Sequence, residues 1–202
     1  MGKDYSSYME FPLGHRLREL PGPLLLTGHT GFKGTWMTFL LEHLNVPVVG
    51  YSLPAGKDSL YDRAERAGVI PEACEDIRDY QTLEEFIELH KPSTVIHMAA
   101  QPLVRYSYLN PVKTYATNVM GTVHVLEAIR LLDCVRSAVI VTTDKCYENK
   151  EWAWGYREDE AMGGYDPYSN SKGCVELVSS AYRKSFLKDA GIAMATARAG
   201  NV

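Results

Sequence analysis

The chain has 202 residues, of which 46% are hydrophobic and 23% charged, and its formal net charge is −4. This length suits one domain with a full hydrophobic core, and the ordinary globular mixture excludes a disordered or fibrous chain. The basic residues are scattered, which gives no electrostatic case for a nucleic-acid partner. No apolar run approaches the roughly 20 residues that cross a bilayer, so we expect no membrane contact.

The polar N-terminus lacks the apolar segment of a secretory signal. The four cysteines form no CxxC pair, and we interpret them as reduced thiols of a cytoplasmic protein rather than as a disulfide framework. The six histidines show no metal-ligand spacing, so we expect no metal site.

In chain order, residues 1–23 are polar and interrupted by prolines and glycines, and we expect a mobile lead-in or a local cap. From residue 24, short apolar runs alternate with segments of helical spacing. We predict strands at residues 24–27, 47–51, 73–77, 94–100, 138–143 and 193–198. We predict helices at residues 32–44, 59–67, 82–90, 111–132 and 166–187, and a loop at 148–164. This alternation predicts one α/β domain over residues 24–202, a doubly wound Rossmann-type parallel sheet with helices on both faces.

The segment TGHTGFKG joins the first predicted strand to the first predicted helix, with glycines at Gly28, Gly31 and Gly34. Its spacing differs by one residue from the GxGxxG fingerprint, but the physics is shared. A glycine permits the tight turn, bare N–H groups at a helix N-terminus attract a pyrophosphate, and the third glycine lets helix and strand pack closely. The segment therefore predicts a dinucleotide site, and we include Thr30 and Phe32 in it.

The acidic residue that usually binds the ribose after the second strand is missing. Ser52 occupies that region, and Lys57 and Asp58 follow it, so this loop leaves the choice between NAD and NADP open. Asp76 and Ile77 follow the third strand and could bracket an adenine. The alternative is a surface aspartate beside a core isoleucine.

Tyr168 and Lys172 lie four residues apart on a predicted helix, which places both side chains on one face. An ammonium near a phenol lowers the phenol pKa from its ordinary ~10, so the pair could act as a general base near neutral pH. This spacing often occurs by chance, but the glycine loop upstream favours a catalytic pair.

Polar residues also end the fifth predicted strand, in the order Thr142, Thr143, Asp144 and Lys145. Ligands bind at the carboxyl ends of strands in open α/β sheets. The alternative is an ion pair that caps the strand. Asn118 lies inside a predicted helix, where asparagine is unfavourable, and is either buried against neighbouring backbone or exposed.

Together with HMAAQ at residues 97–101, these motifs resemble the extended short-chain dehydrogenase/reductase family. GHTGFKGTW, AAQPLVRYSY and TTDKCYENKEW are similar to its CDP-glucose 4,6-dehydratase subgroup, in which Asp-Lys replaces the Asp-Glu of dTDP-glucose dehydratases. The resemblance runs from residue 24 to residue 202. It implies an NAD-dependent hydro-lyase that converts CDP-glucose to CDP-4-keto-6-deoxyglucose in deoxysugar and lipopolysaccharide biosynthesis.

The resemblance also implies residue roles. Tyr168 would remove the 4-hydroxyl proton of the hexose, Thr143 would hydrogen-bond that hydroxyl, and Lys172 would hold the nicotinamide ribose. Asp144 and Lys145 would assist the loss of water across C5 and C6, with the acid and base roles left undivided. The hydride taken from C4 would return to C6. Further cofactor contacts are expected from Ala99, Ala100, Gln101, Asn118 and Thr142.

Family members continue past residue 202 with a smaller substrate domain, which we expect to be missing here. The helices at 111–132 and 166–187 resemble a pair that forms a dimer interface, so we expect a homo-oligomer, although their apolar faces could instead cover the sheet. One alternative function is a sugar-nucleotide epimerase or reductase of the same fold, which Asp144 and Lys145 disfavour. Another is a non-catalytic NAD(H)-binding module.

Overall fold

The computed structural model describes residues 17–200, so most of the predicted lead-in lies outside the described residues. Its strands are β1 Leu24–Thr27, β2 Val48–Ser52, β3 Glu72–Cys74, β4 Thr94–His97, β5 Ser137–Thr143 and β6 Ala193–Ala199. They form one six-stranded sheet in the order β3-β2-β1-β4-β5-β6, and all neighbouring strands are parallel. The strand order reverses direction between β1 and β4, as in a Rossmann-type sheet. The predicted doubly wound fold is therefore confirmed.

The helices are α1 Phe32–His43, α2 Leu60–Arg63, α3 Tyr80–His90, α4 Val104–Leu109, α5 and α6. Helix α5 joins Pro111–Tyr115, a π-helical turn at Ala116–Met120, and Gly121–Leu131. Helix α6 joins Pro167–Tyr182 to a π-helical turn at Arg183–Leu187, and a 3-10 turn at Asp144–Cys146 follows β5. Apolar periodicity predicts the two long helices but neither their π-helical turns nor the short helix α4.

Two predicted strands are too long at their carboxyl ends. Strand β4 ends at His97 rather than at residue 100, because its neighbour β1 ends at Thr27 and the N–H groups of Met98 and Ala99 both donate to the Thr27 hydroxyl oxygen. Strand β3 ends at Cys74 rather than at residue 77, because a tight turn follows, in which the Asp79 N–H donates to the Asp76 carbonyl at 2.9 Å.

The hydrophobic core lies on both faces of the sheet. On one face, Leu25 of β1 joins buried residues of α3, α5 and α6, among them Leu126 and Ile129. On the other face, Leu24 and Leu26 pack with buried residues of α1 and β2. Successive strand residues point to opposite faces, so a continuous apolar strand fills both layers. The predicted coverage of both faces is confirmed.

Two further observations concern the described part of the chain. None of its helices combines the length and apolar character that a membrane crossing needs. Within residues 17–200, His, Cys, Asp and Glu side chains form no group of three or more that could hold a metal ion. The four cysteines are free thiols, and only Cys146 is fully buried.

A buried chain of hydrogen bonds links β1, β4 and α5. Thr27 Oγ1 accepts from two backbone N–H groups and lies 2.7 Å from His97 Nδ1, so its hydroxyl donates to that nitrogen. His97 Nε2 then donates to Thr122 Oγ1 at 3.0 Å, and the Thr122 hydroxyl donates to the Asn118 carbonyl at 2.7 Å. Burial lowers the pKa of His97 to about 3, so the ring is neutral.

We predict that the free energy of unfolding falls as the pH drops below about 7, because unfolded His97 takes up a proton near its ordinary pKa of ~6.5 and the folded ring does not. This contribution to the free energy of unfolding is fully present above the ordinary histidine pKa of ~6.5 and is lost as the pH falls towards 3. Urea unfolding should show that the wild type loses about 2 kcal/mol more than His97→Gln between pH 7 and pH 5. Equal losses in the two proteins would contradict a neutral buried His97.

Candidate active site

The glycine-rich loop leaves the carboxyl end of β1 and turns directly into α1. Gly28 has a φ of +76°, and a Cβ there would lie 2.7 Å from the backbone nitrogen of Ala99. A Cβ on Gly34 would lie 2.1 Å from the Gly28 carbonyl oxygen. Both positions therefore require glycine for the fold itself, independently of any ligand.

Gly31 has a different environment. It is the N-cap of α1 with a φ of −73°, and among the described residues a Cβ there would approach only the Gly28 carbonyl, at 3.3 Å. Helix α1 has no side-chain cap and no acidic residue in its first turn within residues 17–200. Its first N–H groups are thus available to an anion, as at phosphate-binding helix N-termini. Because the helix N-terminus is uncapped and the glycine adds no side chain in front of it, the cradle fits a pyrophosphate.

Thr30 ties this loop to the end of β2. Its hydroxyl donates to the Leu53 carbonyl at 2.9 Å and lies 2.8 Å from the Ser52 hydroxyl, which must then donate to it. Both side chains are buried. The structure thus places Ser52 beside the glycine loop, with the hydrogen of its hydroxyl directed to Thr30. Contact of Ser52 with the cofactor stays a prediction.

Asp76 and Ile77 have different surroundings, although both follow β3. The Arg78 guanidinium donates to the Asp76 carboxylate at 2.6 to 3.1 Å, which holds the pKa of Asp76 below its usual range. Ile77 is buried and packs against Gly121, where a Cβ would lie 2.7 Å from its side chain. This geometry favours the alternative of a paired aspartate beside a core isoleucine, and the adenine contact stays a prediction.

Asn118 lies in the π-helical turn of α5 and is buried. Its Oδ1 accepts from the Gln101 N–H at 2.7 Å, and its Nδ2 donates to the Gln101 carbonyl at 3.1 Å and to Ser171 Oγ at 2.8 Å. The alternative in which Asn118 is buried and bonded to neighbouring backbone is confirmed. The side chain thereby holds the segment Ala99, Ala100 and Gln101 at the carboxyl end of β4.

Tyr168 stands in the first turn of α6, which is capped by Asp166 and has Pro167 as its first residue. This start places the phenol beside the end of β5, where it shares a hydrogen bond with Thr143. Burial raises the pKa of Tyr168, and the positive charge of Lys145 opposes that rise without cancelling it.

Lys172 lies one turn further along α6 and is buried. Its Nζ donates to the Val141 carbonyl at 3.1 Å. The pKa of Lys172 is lowered to about 8, mainly by burial and also by the charge of Lys33, while the charge of Glu176 opposes both. Lys172 was expected to lower the pKa of Tyr168, but the net shift is upward, because burial of the phenol dominates and the charge that opposes it is that of Lys145.

Asp144 and Lys145 occupy the 3-10 turn that follows β5, hereafter the β5 turn. Thr143 Oγ1 donates to Asp144 Oδ1 at 3.0 Å, and Lys145 Nζ lies 3.4 Å from the same oxygen. The two side chains are 56% and 39% exposed, so the pair remains accessible to a substrate. The β5 turn and the first turn of α6 therefore bring Thr143, Asp144, Lys145 and Tyr168 to one edge of the sheet.

The sequence analysis missed Glu176 and Arg198. Glu176 is buried and accepts hydrogen bonds from the hydroxyls of Thr142 and Thr196, and it forms an ion pair with Arg198 at 3.0 Å. Burial raises the pKa of Glu176, but these hydrogen bonds outweigh it and the net shift is downward. The available signal was spacing, because Glu176 follows Lys172 by four residues and continues the same buried helix face.

Comparison with known proteins shows that this chain is similar to sugar-nucleotide enzymes. The family model described as GDP-mannose 4,6 dehydratase matches residues 25–199. The CDP-glucose 4,6-dehydratase of Salmonella typhimurium is 51% identical over 185 residues, which cover 89% of this chain and 52% of that enzyme. A UDP-glucose 4-epimerase of Yersinia enterocolitica is 28% identical over 77% of this chain and 47% of its own length. The chain thus spans about half the length of these relatives.

Solved structures show the same fold. The UDP-glucose 4-epimerase of Thermus thermophilus in complex with NAD superposes with a TM-score of 0.73 at 26% identity, over 87% of this chain and 54% of that one. The dTDP-glucose 4,6-dehydratase of Bacillus anthracis in complex with NAD gives a TM-score of 0.71 at 20% identity, over 88% and 54% of the two chains.

Proposed function

The chain belongs to the GDP-mannose 4,6 dehydratase family, and we propose that it is the cofactor-binding and catalytic half of an NAD-dependent CDP-glucose 4,6-dehydratase. The observation that carries the proposal is the meeting of Tyr168 and Thr143 with the accessible Asp144–Lys145 pair at the edge that also carries the glycine loop. The 51% identity to the Salmonella typhimurium enzyme supports CDP-glucose as the substrate. Deoxysugar and lipopolysaccharide biosynthesis in the cytoplasm is the setting we propose.

NAD is the cofactor that we propose for this site. The open N-terminus of α1 at Gly31 would hold the pyrophosphate, and the Lys172 ammonium would hold the nicotinamide ribose. When bound, NAD supplies a hydride acceptor for C4 and a hydride donor for C6 of the hexose. The NAD complexes of the structurally similar enzymes support NAD over NADP.

Tyr168 acts on the 4-hydroxyl group of the hexose. Its phenolate oxygen takes the hydroxyl proton as the C4 hydrogen departs, which is general-base assistance. Burial disfavours the phenolate, whereas the positive charge of Lys145 favours it. Thr143 also holds the same hydroxyl of the substrate, so that proton transfer takes place at a fixed distance.

Asp144 and Lys145 carry the loss of water. Once C4 is a ketone, the C5 hydrogen is acidic, and elimination needs a base at C5 and an acid at the C6 hydroxyl. The Asp144 carboxyl group and the Lys145 amino group lie 3.4 Å apart and hold one proton between them, so one member acts as the base at C5 and the other gives its proton to the departing C6 hydroxyl. An epimerase has no such elimination to perform, so this pair favours a dehydratase over an epimerase of the same fold.

We also propose a homo-oligomer through α5 and α6. Each helix buries one side against the sheet, and each leaves large apolar residues exposed on the other. Met120 of α5 is 47% exposed, and Leu177 and Phe186 of α6 are 61% and 45% exposed. Large apolar side chains left exposed on two long helices are typical of interaction surfaces.

We predict that Gly31→Val abolishes NADH binding to the chain, because a branched side chain would occupy the space of the pyrophosphate. Isothermal titration calorimetry measures the affinity, and urea unfolding checks that the variant folds. Gly155→Val is the matched control, since Gly155 has no atom within 4 Å of its added Cβ among the described residues. Unchanged NADH affinity in Gly31→Val would refute the pyrophosphate site.

We predict that Tyr168→Phe slows the oxidation at C4 by about 10²–10⁴-fold, because only the proton-accepting hydroxyl is lost. Single-turnover reduction of bound NAD by CDP-glucose, followed by absorbance in the full-length protein, measures this step. Tyr165→Phe is the control, since that phenol is 99% exposed and its loss should leave the rate unchanged. A Tyr168→Phe protein with the wild-type rate would remove Tyr168 from the base role.

A further inference from the structure

The β5 turn is contacted at both of its ends by side chains from other elements. The side chains of Asp144 and Lys145 are 56% and 39% exposed, and the turn is only Asp144–Cys146 long. A catalytic acid and base need a fixed position to act. The structure supplies it from residues outside the turn.

The strand end of the turn is held by Glu176. The Thr142 hydroxyl, two residues before Asp144, donates to one oxygen of the buried Glu176 carboxylate. Thr196 of the neighbouring strand β6 donates to the other oxygen at 2.9 Å. One buried carboxylate thereby connects the carboxyl-terminal parts of β5 and β6.

The far end of the turn is held by Arg198. Its Nη1 donates to the Tyr147 hydroxyl at 2.5 Å, and its guanidinium lies 4.8 Å from the centre of the Tyr147 ring. The same nitrogen donates to the Glu158 carbonyl at 2.9 Å, while Nη2 binds Glu176 at 3.0 Å. The planar Arg198 guanidinium thus connects Tyr147, which follows the β5 turn, to the Glu176 carboxylate, which binds the strand before it.

We propose that the Glu176–Arg198 ion pair is the positioning element of the β5 turn, and that Glu176 and Arg198 are positioning residues for Asp144 and Lys145. The proposal rests on the proposed function only for the chemical roles of Asp144 and Lys145. A buried pair of this kind is sensitive to loss of one partner, because the other charge is then left buried and uncompensated. We therefore expect that loss of one partner of the Glu176–Arg198 pair loosens the β5 turn locally.

The rate at which the Cys146 thiol is alkylated measures how far the β5 turn opens. Cys146 is the last residue of the turn and fully buried, and burial raises the pKa of its thiol to about 11. Alkylation by N-ethylmaleimide, quantified by peptide mass spectrometry on the folded chain, reads its exposure. Cys134, which is partly buried and lies outside the turn, serves as the internal standard.

We expect Arg198→Met to raise the labelling rate of Cys146 by about tenfold or more through local opening, with the Cys134 rate unchanged. Tyr147→Phe, which loses the hydroxyl and keeps the ring beneath the guanidinium, should give a smaller rise and covers the case in which Arg198→Met fails to fold. Arg130→Met, which removes the surface pair with Glu127, is the matched control and should change neither rate.

Two outcomes would overturn the proposal. One is a Cys146 rate that stays at the wild-type value in Arg198→Met or, where that variant does not fold, in Tyr147→Phe. The other is an equal rise for Cys146 and Cys134, which would indicate a general loss of stability. In the full-length protein, Tyr147→Phe should lower kcat for CDP-glucose and leave NADH affinity unchanged. An inactive wild type would instead refute the proposed function and leave the labelling result standing.

Discussion

Buried polar side chains at the carboxyl edge of the sheet need partners, and the loops of the candidate site are held in place by the bonds that satisfy them. His97 is neutral and joins β1 to α5 through Thr27 and Thr122. Asn118 continues that chain and fixes the backbone of Gln101. Glu176 and Arg198 do the same for the β5 turn. The loops that follow β4 and β5 are thus held by buried polar side chains, and Asp144 and Lys145 lie on the second of these loops.

The sequence was sufficient for features that are local. Apolar runs located the six strands, and the glycine spacing located the turn in which Gly28 adopts a positive φ. It was insufficient where a contact joins distant segments. The bonds of Glu176 to Thr142 and Arg198 span 34 and 22 residues, and no periodicity reports them. The raised pKa of Tyr168 was missed for the same reason, because burial depends on which segments cover the phenol.

The arrangement separates two kinds of proton chemistry that a 4,6-dehydratase needs. Tyr168 and Thr143 form a partly buried pair suited to one hydroxyl proton, and Asp144 and Lys145 form an accessible pair suited to elimination. The first pair joins α6 to the end of β5, and the second lies in the β5 turn. The two pairs are linked, because the Thr143 hydroxyl donates to Asp144 and the charge of Lys145 opposes the upward shift that burial gives the pKa of Tyr168. The glycine loop completes the edge from β1. All three parts lie within the half-length that this chain shares with its relatives.

Transfer of hydrogen from C4 to C6 of the same hexose is the event that defines the proposed reaction. The most direct measurement is incubation of the full-length protein with CDP-glucose carrying deuterium at C4, followed by deuterium NMR of the product. We predict that the deuterium appears in the C6 methyl group of a 4-keto-6-deoxy sugar. Deuterium retained at C4 of an epimerised hexose, or unreacted CDP-glucose, would contradict the assignment of this chain to a CDP-glucose 4,6-dehydratase.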